Sequence, residues 1–291
     1  MHLAFTKMHG LGNDFLVCEV PRNAPLPSAT QWRQLADRHA GVGFDQALVI
    51  EPAHTASTMA YYRVFNADGG EVEQCGNGAR CVARYVHSRG LSAPGGGAEG
   101  GATDHIEAAG ALQLGSKSGP IAARILKDGR VAVNLGIPDF QPGALPFTAA
   151  ARAAKYSLPL AGEVIEFGAV SIGNPHAVLR VTAVASAAVE SVGRALQSHP
   201  DFPKQVNVGF MEILDAGRIR LRVYERGVGE TLACGTGACA AVAVGRNLGL
   251  LAANVEVRVP GGTLSVHWEG VEQPIWLIGP AEVAFTGQVD L

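Results

Sequence analysis

Alternating apolar and polar positions predict β-strands along most of the chain. Near the start, residues 3–9 and 15–20 flank the turn Gly-Leu-Gly-Asn-Asp at 10–14, a pattern typical of two neighbouring strands. Similar alternation or short apolar runs predict further strands at 47–51, 59–65, 121–126, 131–135, 164–171, 177–181, 206–214, 219–224, 255–259, 264–268 and 275–285.

Apolar residues at helical spacing predict four helices among these strands. The segment 76–88 carries its apolar residues on one face, which indicates a helix packed against a core. The predicted helices are 28–39, 76–88, 184–196 and 235–248. Strands that outnumber helices, without regular alternation of the two, indicate the α+β class rather than βαβ winding.

The sequence contains a pseudo-repeat. Shifting the chain by 159 positions places Cys75 on Cys234, so that the motif Cys-Gly-x-Gly-Ala at 75–79 aligns with its copy at 234–238. In each copy a predicted strand leads through a polar loop to this motif, and an apolar helix follows. Such self-similarity predicts two related halves, one for each cysteine. The predicted halves are 1–133 plus 280–291, and 134–279.

Net charge and hydropathy exclude several classes of function. The 23 Lys and Arg residues against 26 Asp and Glu residues leave a formal charge of −3, so there is no basic surplus of the kind that binds nucleic acid. No apolar run reaches the ~18–20 residues of a membrane span, and the N-terminal segment does not read as a secretory signal. We therefore expect a cytoplasmic protein that acts on a small molecule.

Glycine is the most unusual part of the composition. The chain has 37 glycines in 291 residues, well above the usual ~7%. We expect the excess at tight turns and at helix starts. The segment 94–103 concentrates glycine without apolar anchors, and we predict a neutral surface loop there.

The five cysteines do not form a recognisable framework. An odd number of cysteines in a reducing compartment argues against disulfides. Their spacings do not match a zinc knuckle, and we predict no metal site. We interpret Cys18, Cys81 and Cys239 as packed small residues, since the first alternates within a strand and the other two lie inside helices.

The remaining two cysteines, Cys75 and Cys234, each stand directly before a predicted helix. Backbone N–H groups and the positive end of the helix dipole at such a position stabilise a thiolate and lower the thiol pKa. The glycines that follow each cysteine allow a carboxylate to approach the same N–H groups. Each half is therefore predicted to offer a tuned thiol beside an anion site.

Two such thiols fit one class of reaction, stereoinversion at a carbon α to a carboxylate. If the two halves face each other, one thiolate removes the α-proton and the opposite thiol delivers a proton to the other side. The helix starts stabilise the carbanion as it forms. This scheme needs no cofactor. Pyridoxal phosphate would need a Schiff-base lysine, and none of the five lysines lies in a cofactor-like loop.

Five stretches of the sequence resemble the diaminopimelate epimerase family: FTKMHGLGNDFLV at 5–17, FNADGGEVEQCGNGARC at 65–81, GNPHAV at 173–178, QVNVGF at 205–210 and ERGVGETLACGTGACAA at 225–241. The resemblance implies two pseudo-symmetric α+β domains, each a mixed sheet wrapped around a central helix, in a homodimer. It also implies cofactor-independent epimerisation of LL-2,6-diaminoheptanedioate to the meso form, a step of lysine and peptidoglycan-precursor biosynthesis.

The resemblance also implies roles for individual residues. Cys75 and Cys234 would be the acid/base pair, with Cys234 as base and Cys75 as proton donor in the LL-to-meso direction. His176 and Glu225 would tune the pKa values of the cysteines. Arg226 would hold the remote carboxylate through two hydrogen bonds. The implied substrate-binding residues are Asn13, Gln46, Asn66, Gly76, Asn77, Asn174, Asn207, Glu225, Arg226, Gly235 and Thr236.

Two other functions stay open on the residues alone. A racemase of another amino acid, of the proline racemase type, would use the same two-cysteine design. A dithiol redox protein would cycle Cys75 and Cys234 through a disulfide, although the lack of a Cys-x-x-Cys motif in the sequence counts against it.

Overall fold

The computed structural model describes residues 2–72, 75–90, 108–160 and 162–291. Contacts group these residues into two units: the N-terminal unit runs to Val133 and takes in Gly279–Leu291, and the C-terminal unit covers Asn134–Ile278. The predicted surface loop at 94–103 lies outside the described residues. No helix in the described part of the chain is long and apolar enough to span a membrane.

Strands outnumber helices in both units. In chain order the strands are β1 (His2–Gly10), β2 (Asn13–Glu19), β3 (Gln46–Pro52), β4 (Ala60–Asn66), β5 (Glu71–Val72), β6 (Ala108–Ser116), β7 (Gly119–Leu126), β8 (Val131–Asn134), β9 (Tyr156–Leu160), β10 (Glu163–Ser171), β11 (Pro175–Arg180), β12 (Asn207–Asp215), β13 (Arg218–Glu225), β14 (Gly229–Thr231), β15 (Asn254–Val259), β16 (Gly262–His267), β17 (Trp276–Gly279) and β18 (Glu282–Asp290). The helices are α1 (Ala29–Ala36), α2 (Gly76–Ser88), α3 (Val189–Gln197) and α4 (Gly235–Asn247), with 3-10 turns at Pro142–Ala144 and Val184–Ser186.

The strands of the N-terminal unit form one mixed sheet in the order β18-β1-β2-β3-β4-β6-β7-β8. Neighbouring strands are antiparallel except for β2 with β3 and β4 with β6, which are parallel. The short β5 pairs with β4. Helix α2 packs against β1, β2, β3, β4, β6 and β7, so it is the central helix of this unit.

The C-terminal unit has the same internal arrangement. Its strand order is β9-β10-β11-β12-β13-β15-β16-β17, with parallel neighbours at β11 with β12 and at β13 with β15. The short β14 pairs with β13. Helix α4 packs against β10, β11, β12, β13 and β16. The pseudo-repeat in the sequence therefore corresponds to a repeated topology of the α+β class.

A capping box starts the first helix of the chain. The hydroxyl of Ser28 accepts the N–H of Gln31, and the Gln31 side chain accepts the N–H of Ser28 in return. This reciprocal pair satisfies two of the N–H groups that a helix start leaves unpaired. Helix α1 can then bury Trp32 and Leu35 against the sheet, where the Trp32 ring stacks on Phe65 with centroids 5.5 Å apart.

Small residues let the central helix α4 lie close to its strands. Most of its residues are buried glycines and alanines, so it is apolar on nearly every side, as expected for a helix surrounded by strands. The fit is tight at Gly168 on β10, where an added Cβ would lie 2.4 Å from Cγ1 of Val244.

The predicted helix at 184–196 is wrong in its first half. The chain makes a 3-10 turn and becomes α-helical only from α3 onward, because Ala187 is extended with φ −67° and ψ 138°. Tertiary hydrogen bonds hold Val184: its N–H donates to Oε2 of Glu212 at 2.9 Å, and its carbonyl accepts from Nη1 of Arg222 at 3.0 Å. These contacts override the helix propensity of the alanine-rich segment.

Strands β6 and β9 have no counterpart among the predicted elements. The β6 sequence AAGALQLGS is rich in alanine and glycine, which have low strand propensity. It forms a strand because it pairs along its length with β7, a contact that no local pattern reveals.

Gly168→Ala is expected to destabilise the C-terminal unit. The added methyl group overlaps a methyl of buried Val244, and overpacking of this kind costs about 1–3 kcal/mol. Urea denaturation gives the free energy of unfolding. The matched control is Gly143→Ala in the same unit, since a Cβ at Gly143 meets no atom of the described residues within 4 Å. Equal stability of the two variants would contradict the tight packing of α4.

Candidate active site

Cys75 caps the start of α2 in the N-terminal unit. Its backbone is extended, with φ −139° and ψ 115°, and its Sγ accepts the N–H of Gly78 at 3.4 Å. A side-chain cap satisfies one of the N–H groups that a helix start leaves without an intrahelical partner. The residue is half-buried. The sulfur therefore lies over the first turn of the central helix.

Asn13 lies beside this sulfur. It opens β2 directly after Gly12, whose φ of 86° is the left-handed conformation that favours glycine. The Asn13 Oδ1 accepts from Nδ2 of Asn77 at 3.1 Å and lies 3.9 Å from Sγ of Cys75. Its Nδ2 donates to Oδ2 of Asp45 at 2.8 Å. Three predicted site residues, Asn13, Cys75 and Asn77, are thus brought together.

Gln46 and Asn66 form a second pair in the same unit. They are register partners on β3 and β4, and Nε2 of Gln46 donates to Oδ1 of Asn66 at 2.9 Å. The Oε1 of Gln46 is buried and has no hydrogen-bond partner among the described residues. Buried acceptors are nearly always paired in folded proteins. This oxygen is therefore suited to a donor on a ligand, such as an ammonium group.

Cys234 occupies the N-cap position of α4 in the C-terminal unit. It is only 4% exposed, and its Sγ lies 3.6 Å from Oγ1 of Thr236. Position 237 has to be small, because a Cβ at Gly237 would lie 3.2 Å from that sulfur and 2.9 Å from Cγ2 of Val223. The thiol is therefore enclosed by the first turn of its own helix and by β13.

A chain of hydrogen bonds leads from His176 to Cys234. With Nε2 protonated, His176 donates to Oδ1 of Asn174 at 3.0 Å. The Nδ2 of Asn174 then donates to Oγ1 of Thr236 at 3.3 Å. Because the Thr236 oxygen accepts this bond, its own hydroxyl hydrogen is available for the sulfur of Cys234. Four predicted site residues thus belong to one network.

His176 is fully buried and neutral. Burial lowers its pKa to about 3, and the positive charge of Arg226 acts in the same direction. Its Nδ1 is buried and, within the described ranges, has no hydrogen-bond partner. His176 therefore acts on its neighbours as a hydrogen-bond donor, not as a cation.

Asn207, Arg226 and Glu225 lie at the ends of β12 and β13. The Oδ1 of Asn207 accepts the backbone N–H of Arg226 at 2.9 Å, and Nη1 of Arg226 donates to the carbonyl of Lys204 at 3.2 Å. The carboxylate of Glu225 accepts the hydroxyl of Thr231 at 2.5 Å. Asn207 thus fixes the backbone from which the Arg226 side chain projects.

The surroundings of Cys234 oppose its ionisation. Burial raises the pKa of this thiol well above its usual value, and the negative charge of Glu225 adds to the rise. Hydrogen bonds from Thr236 and from the Gly237 N–H lower the pKa in part. The expectation of a lowered pKa at a helix start is therefore wrong for Cys234, because desolvation of a buried thiolate outweighs the helix dipole.

The two half-sites correspond in their polar groups. Each cysteine is followed two positions later by a polar residue, Asn77 or Thr236, that bonds an asparagine from a strand start. The glycines that directly follow the cysteines, Gly76 and Gly235, are the buried first residues of α2 and α4. Across the residues that the structure describes, no group of three or more metal-ligating side chains occurs.

Sequence reasoning missed a charged cluster behind Asn13. Oδ1 of Asp45 accepts from Nη2 of Arg38 at 2.8 Å, and Arg38 also donates to both carboxylate oxygens of Asp14, at 2.9 and 2.8 Å. Nζ of Lys7 donates to Asp14 at 2.5 Å. Both aspartates stand next to predicted site residues in the sequence, which is the signal that could have found them.

Comparison with solved structures identifies the fold. A hydroxyproline epimerase from Agrobacterium vitis, with bound trans-4-OH-L-proline, has a TM-score of 0.70 and 18% identity over 100% of this chain and 93% of that chain. A probable proline racemase from Agrobacterium radiobacter K84 has a TM-score of 0.67 and 17% identity over 99% of this chain and 93% of that chain. At these identities the likeness shows the fold alone, which is one used by epimerases and racemases.

Sequence comparison identifies the family. The diaminopimelate epimerase of Chromobacterium violaceum is 50% identical to this chain over 291 residues, which cover 100% of both proteins. The family model for diaminopimelate epimerase matches residues 5–140 and 168–284. The chain belongs to the diaminopimelate epimerase family. The predicted resemblance, the α+β fold and the isomerase class are therefore confirmed.

Thr236→Val is expected to raise the pKa of the Cys234 thiol, because it removes the hydroxyl beside the sulfur and keeps the size of the side chain. Iodoacetamide reacts with the thiolate, so alkylation of Cys234 at about pH 9 should be about threefold slower. Peptide mass mapping follows the rate at this cysteine. The control Thr148→Val removes a hydroxyl that donates to Asp201 and should leave the rate unchanged. An unchanged or faster rate in Thr236→Val would contradict this contact.

Proposed function

We propose that this protein interconverts LL-2,6-diaminoheptanedioate and its meso isomer without a cofactor, with Cys75 and Cys234 as the acid/base pair. One observation carries the proposal. In a chain of the diaminopimelate epimerase family, each unit begins its central helix with a cysteine whose sulfur lies against polar groups of the first helical turn. The reaction would serve lysine and peptidoglycan-precursor biosynthesis.

Inversion at an α-carbon requires a base and an acid that act on opposite faces. In the LL-to-meso direction the Cys234 thiolate takes the α-proton, so that a C–H bond breaks and an S–H bond forms. The electron pair is delocalised into the adjacent carboxylate. The Cys75 thiol then delivers its proton to the other face and becomes the thiolate. The carbon is neither oxidised nor reduced, and the reverse reaction exchanges the two roles.

The starts of α2 and α4 supply the stabilisation that the carbanion needs. The first N–H groups of a helix have no intrahelical partner, and the helix dipole makes that end positive. We assign the α-carboxylate of the substrate to these N–H groups, at Gly76, Asn77, Gly235 and Thr236. Donors that are already in place stabilise developing charge without reorganisation, which lowers the barrier to proton removal.

Burial makes Cys234 a strong base when it is ionised. A thiolate that is costly to form holds a proton more tightly than a free thiolate, which favours removal of a weakly acidic α-proton. We propose that His176 and Glu225 tune this cost in opposite directions. His176 lowers it through Asn174 and the Thr236 hydroxyl, whereas Glu225 raises it through its negative charge.

The remaining charged groups of the substrate would be held by polar side chains in both units. Arg226 suits the remote carboxylate, because a guanidinium bonds a carboxylate at two points. The buried Oε1 of Gln46 suits an ammonium group, with Asn66 beside it to fix the amide. Asn207 would contribute by holding the backbone of Arg226.

We also propose that the protein works as a cytoplasmic homodimer. Two large apolar side chains on β18, Val283 and Phe285, are 58% and 50% exposed, which is consistent with a surface that a second copy covers. Light scattering in solution should give twice the chain mass of 30.2 kDa. A monomer at working concentrations would contradict this part of the proposal.

Cys75→Ala and Cys234→Ala are each expected to lower the turnover of LL-diaminopimelate at least about a thousandfold, because each removes one of the two proton-transfer groups. Cys→Ser at either position should retain little activity, since a hydroxyl is a far poorer base at neutral pH. Chiral chromatography of substrate and product measures the conversion. The matched control is Cys81→Ala, which removes a thiol from the buried side of α2 and should keep turnover.

Near-full turnover of Cys75→Ala would contradict the two-thiol scheme. The substrate is tested separately, with L-proline as the second compound. An enzyme that racemises proline and leaves LL-diaminopimelate unchanged would favour the proline racemase alternative.

A further inference from the structure

Two asparagines in corresponding positions hold their amides in opposite orientations. Asn13 opens β2 and Asn174 directly precedes β11, and each follows a left-handed glycine, with φ 86° at Gly12 and 79° at Gly173. Asn13 directs its carbonyl oxygen toward the cysteine of its unit. Asn174 instead directs its amide nitrogen toward Thr236, whose hydroxyl lies beside the other cysteine.

The partner on the far side of each amide decides which way it points. A carboxylate only accepts hydrogen bonds, so the Nδ2 of Asn13 has to face Asp45, at 2.8 Å. A flipped amide would place its oxygen against that carboxylate and its N–H groups against the Nδ2 of Asn77. In the C-terminal unit the partner is His176, whose Nε2 lies 3.0 Å from the amide oxygen of Asn174 and donates to it in the Nε2-protonated tautomer.

Asp45 is held firmly enough to impose this orientation. Its Oδ2 also accepts the backbone N–H of Asp14 at 3.1 Å, and its Oδ1 accepts from Arg38 at 2.8 Å. Burial raises the pKa of neighbouring Asp14, but hydrogen bonds from Arg38 and Lys7 outweigh it and lower that pKa to about 2. Asp14 therefore stays charged throughout the neutral range.

The orientation of Asn13 acts directly on the Cys75 sulfur. A carbonyl oxygen 3.9 Å away accepts a hydrogen bond from a thiol and repels a thiolate. From α2 the Gly78 N–H donates to the same sulfur. The titratable and charged groups on the surrounding elements of this unit include Lys7 on β1, Asp14 on β2, Tyr62 on β4, and Arg80 and Cys81 on α2.

Two of these groups are neutral where they lie. Burial raises the pKa of Tyr62, and it raises the pKa of Cys81 to about 12. Neither is bonded to Asn13. The amide of Asn13 donates to Asp45 on one side and presents its oxygen to the Cys75 sulfur on the other, so it connects the two groups.

We propose that Asp45 is a positioning residue that orients Asn13 and thereby keeps Cys75 in its thiol form. This bias favours the acid role that the LL-to-meso direction gives to Cys75. The acid role rests on the proposed function, whereas the bias of the thiol itself does not depend on turnover.

The test is a double-mutant cycle read out by alkylation of Cys75 in the full-length protein. Without Asp45, only Nδ2 of Asn77 still holds the Asn13 amide in this orientation, so the amide turns an N–H toward the sulfur more often and the pKa of the thiol falls. Asp45→Ala should move the pH midpoint of Cys75 alkylation down by about half a unit or more, which is about threefold faster reaction below the midpoint. Iodoacetamide and peptide mass mapping measure the rate at each pH.

The second arm of the cycle separates orientation from simple loss of charge. In an Asn13→Ala background, removal of Asp45 should produce no further shift, because the amide through which it acts is gone. The matched control is Asp128→Ala. Asp128 is a half-exposed carboxylate of the same unit that also accepts one backbone N–H and one arginine, at 3.0 and 2.7 Å from Arg130. The Asp128→Ala substitution should leave the pH midpoint of Cys75 alkylation unchanged.

Two results would overturn the proposal: an equal shift in both Asn13 backgrounds, or no shift when Asp45 is removed. Should Asp45→Ala fail to fold, as judged by circular dichroism, Asp45→Asn runs the same cycle and should give a smaller shift of the same sign. The proposed epimerase activity is measured separately by conversion of LL-diaminopimelate. Failure of the function and failure of the positioning role are therefore distinguishable.

Discussion

Each unit depends on a cysteine at the start of a helix that is surrounded by strands. The helix start brings N–H groups and a positive dipole to the sulfur, which favours a thiolate. The surrounding sheet removes water, which disfavours it. At Cys234 burial prevails and the thiol pKa rises. The small residues of α4 permit this enclosure, so the packing of the central helix and the basicity of the thiol have a common cause.

The two units share this arrangement, but the polar groups beside Cys75 differ from those beside Cys234. The amide of Asn13 contacts Asp45, whose carboxylate also accepts a hydrogen bond from an arginine. The amide of Asn174 contacts His176, which is neutral and buried. Both asparagines follow a left-handed glycine and lie at equivalent positions of the two units. The two half-sites thus share a backbone arrangement, and one difference between them is which end of the asparagine amide faces the first helical turn. Two thiols that exchange roles during catalysis are in this way influenced by different neighbours.

Much of this arrangement could be predicted from the sequence. The motif at 75–79 placed the first residue of α2 correctly, because a polar loop, a cysteine and a glycine before an apolar segment mark a helix start locally. Asp45 stands next to Gln46 in the sequence, but its contact with Asn13 could not be predicted in this way, since it joins distant parts of the chain. The same limit explains the break before α3, where Val184 is held by Glu212, and the pKa of Cys234, which burial sets.

The central claim, that two separate thiols exchange the α-proton, is tested most directly by turnover of unlabelled LL-diaminopimelate in deuterium oxide. If one cysteine removes the proton and the other supplies a solvent-derived one, deuterium appears in the meso product before it appears in recovered LL substrate. Mass spectrometry of the separated isomers early in the reaction measures both. Deuterium that enters substrate and product at equal rates would indicate a single group acting on both faces and would contradict the account.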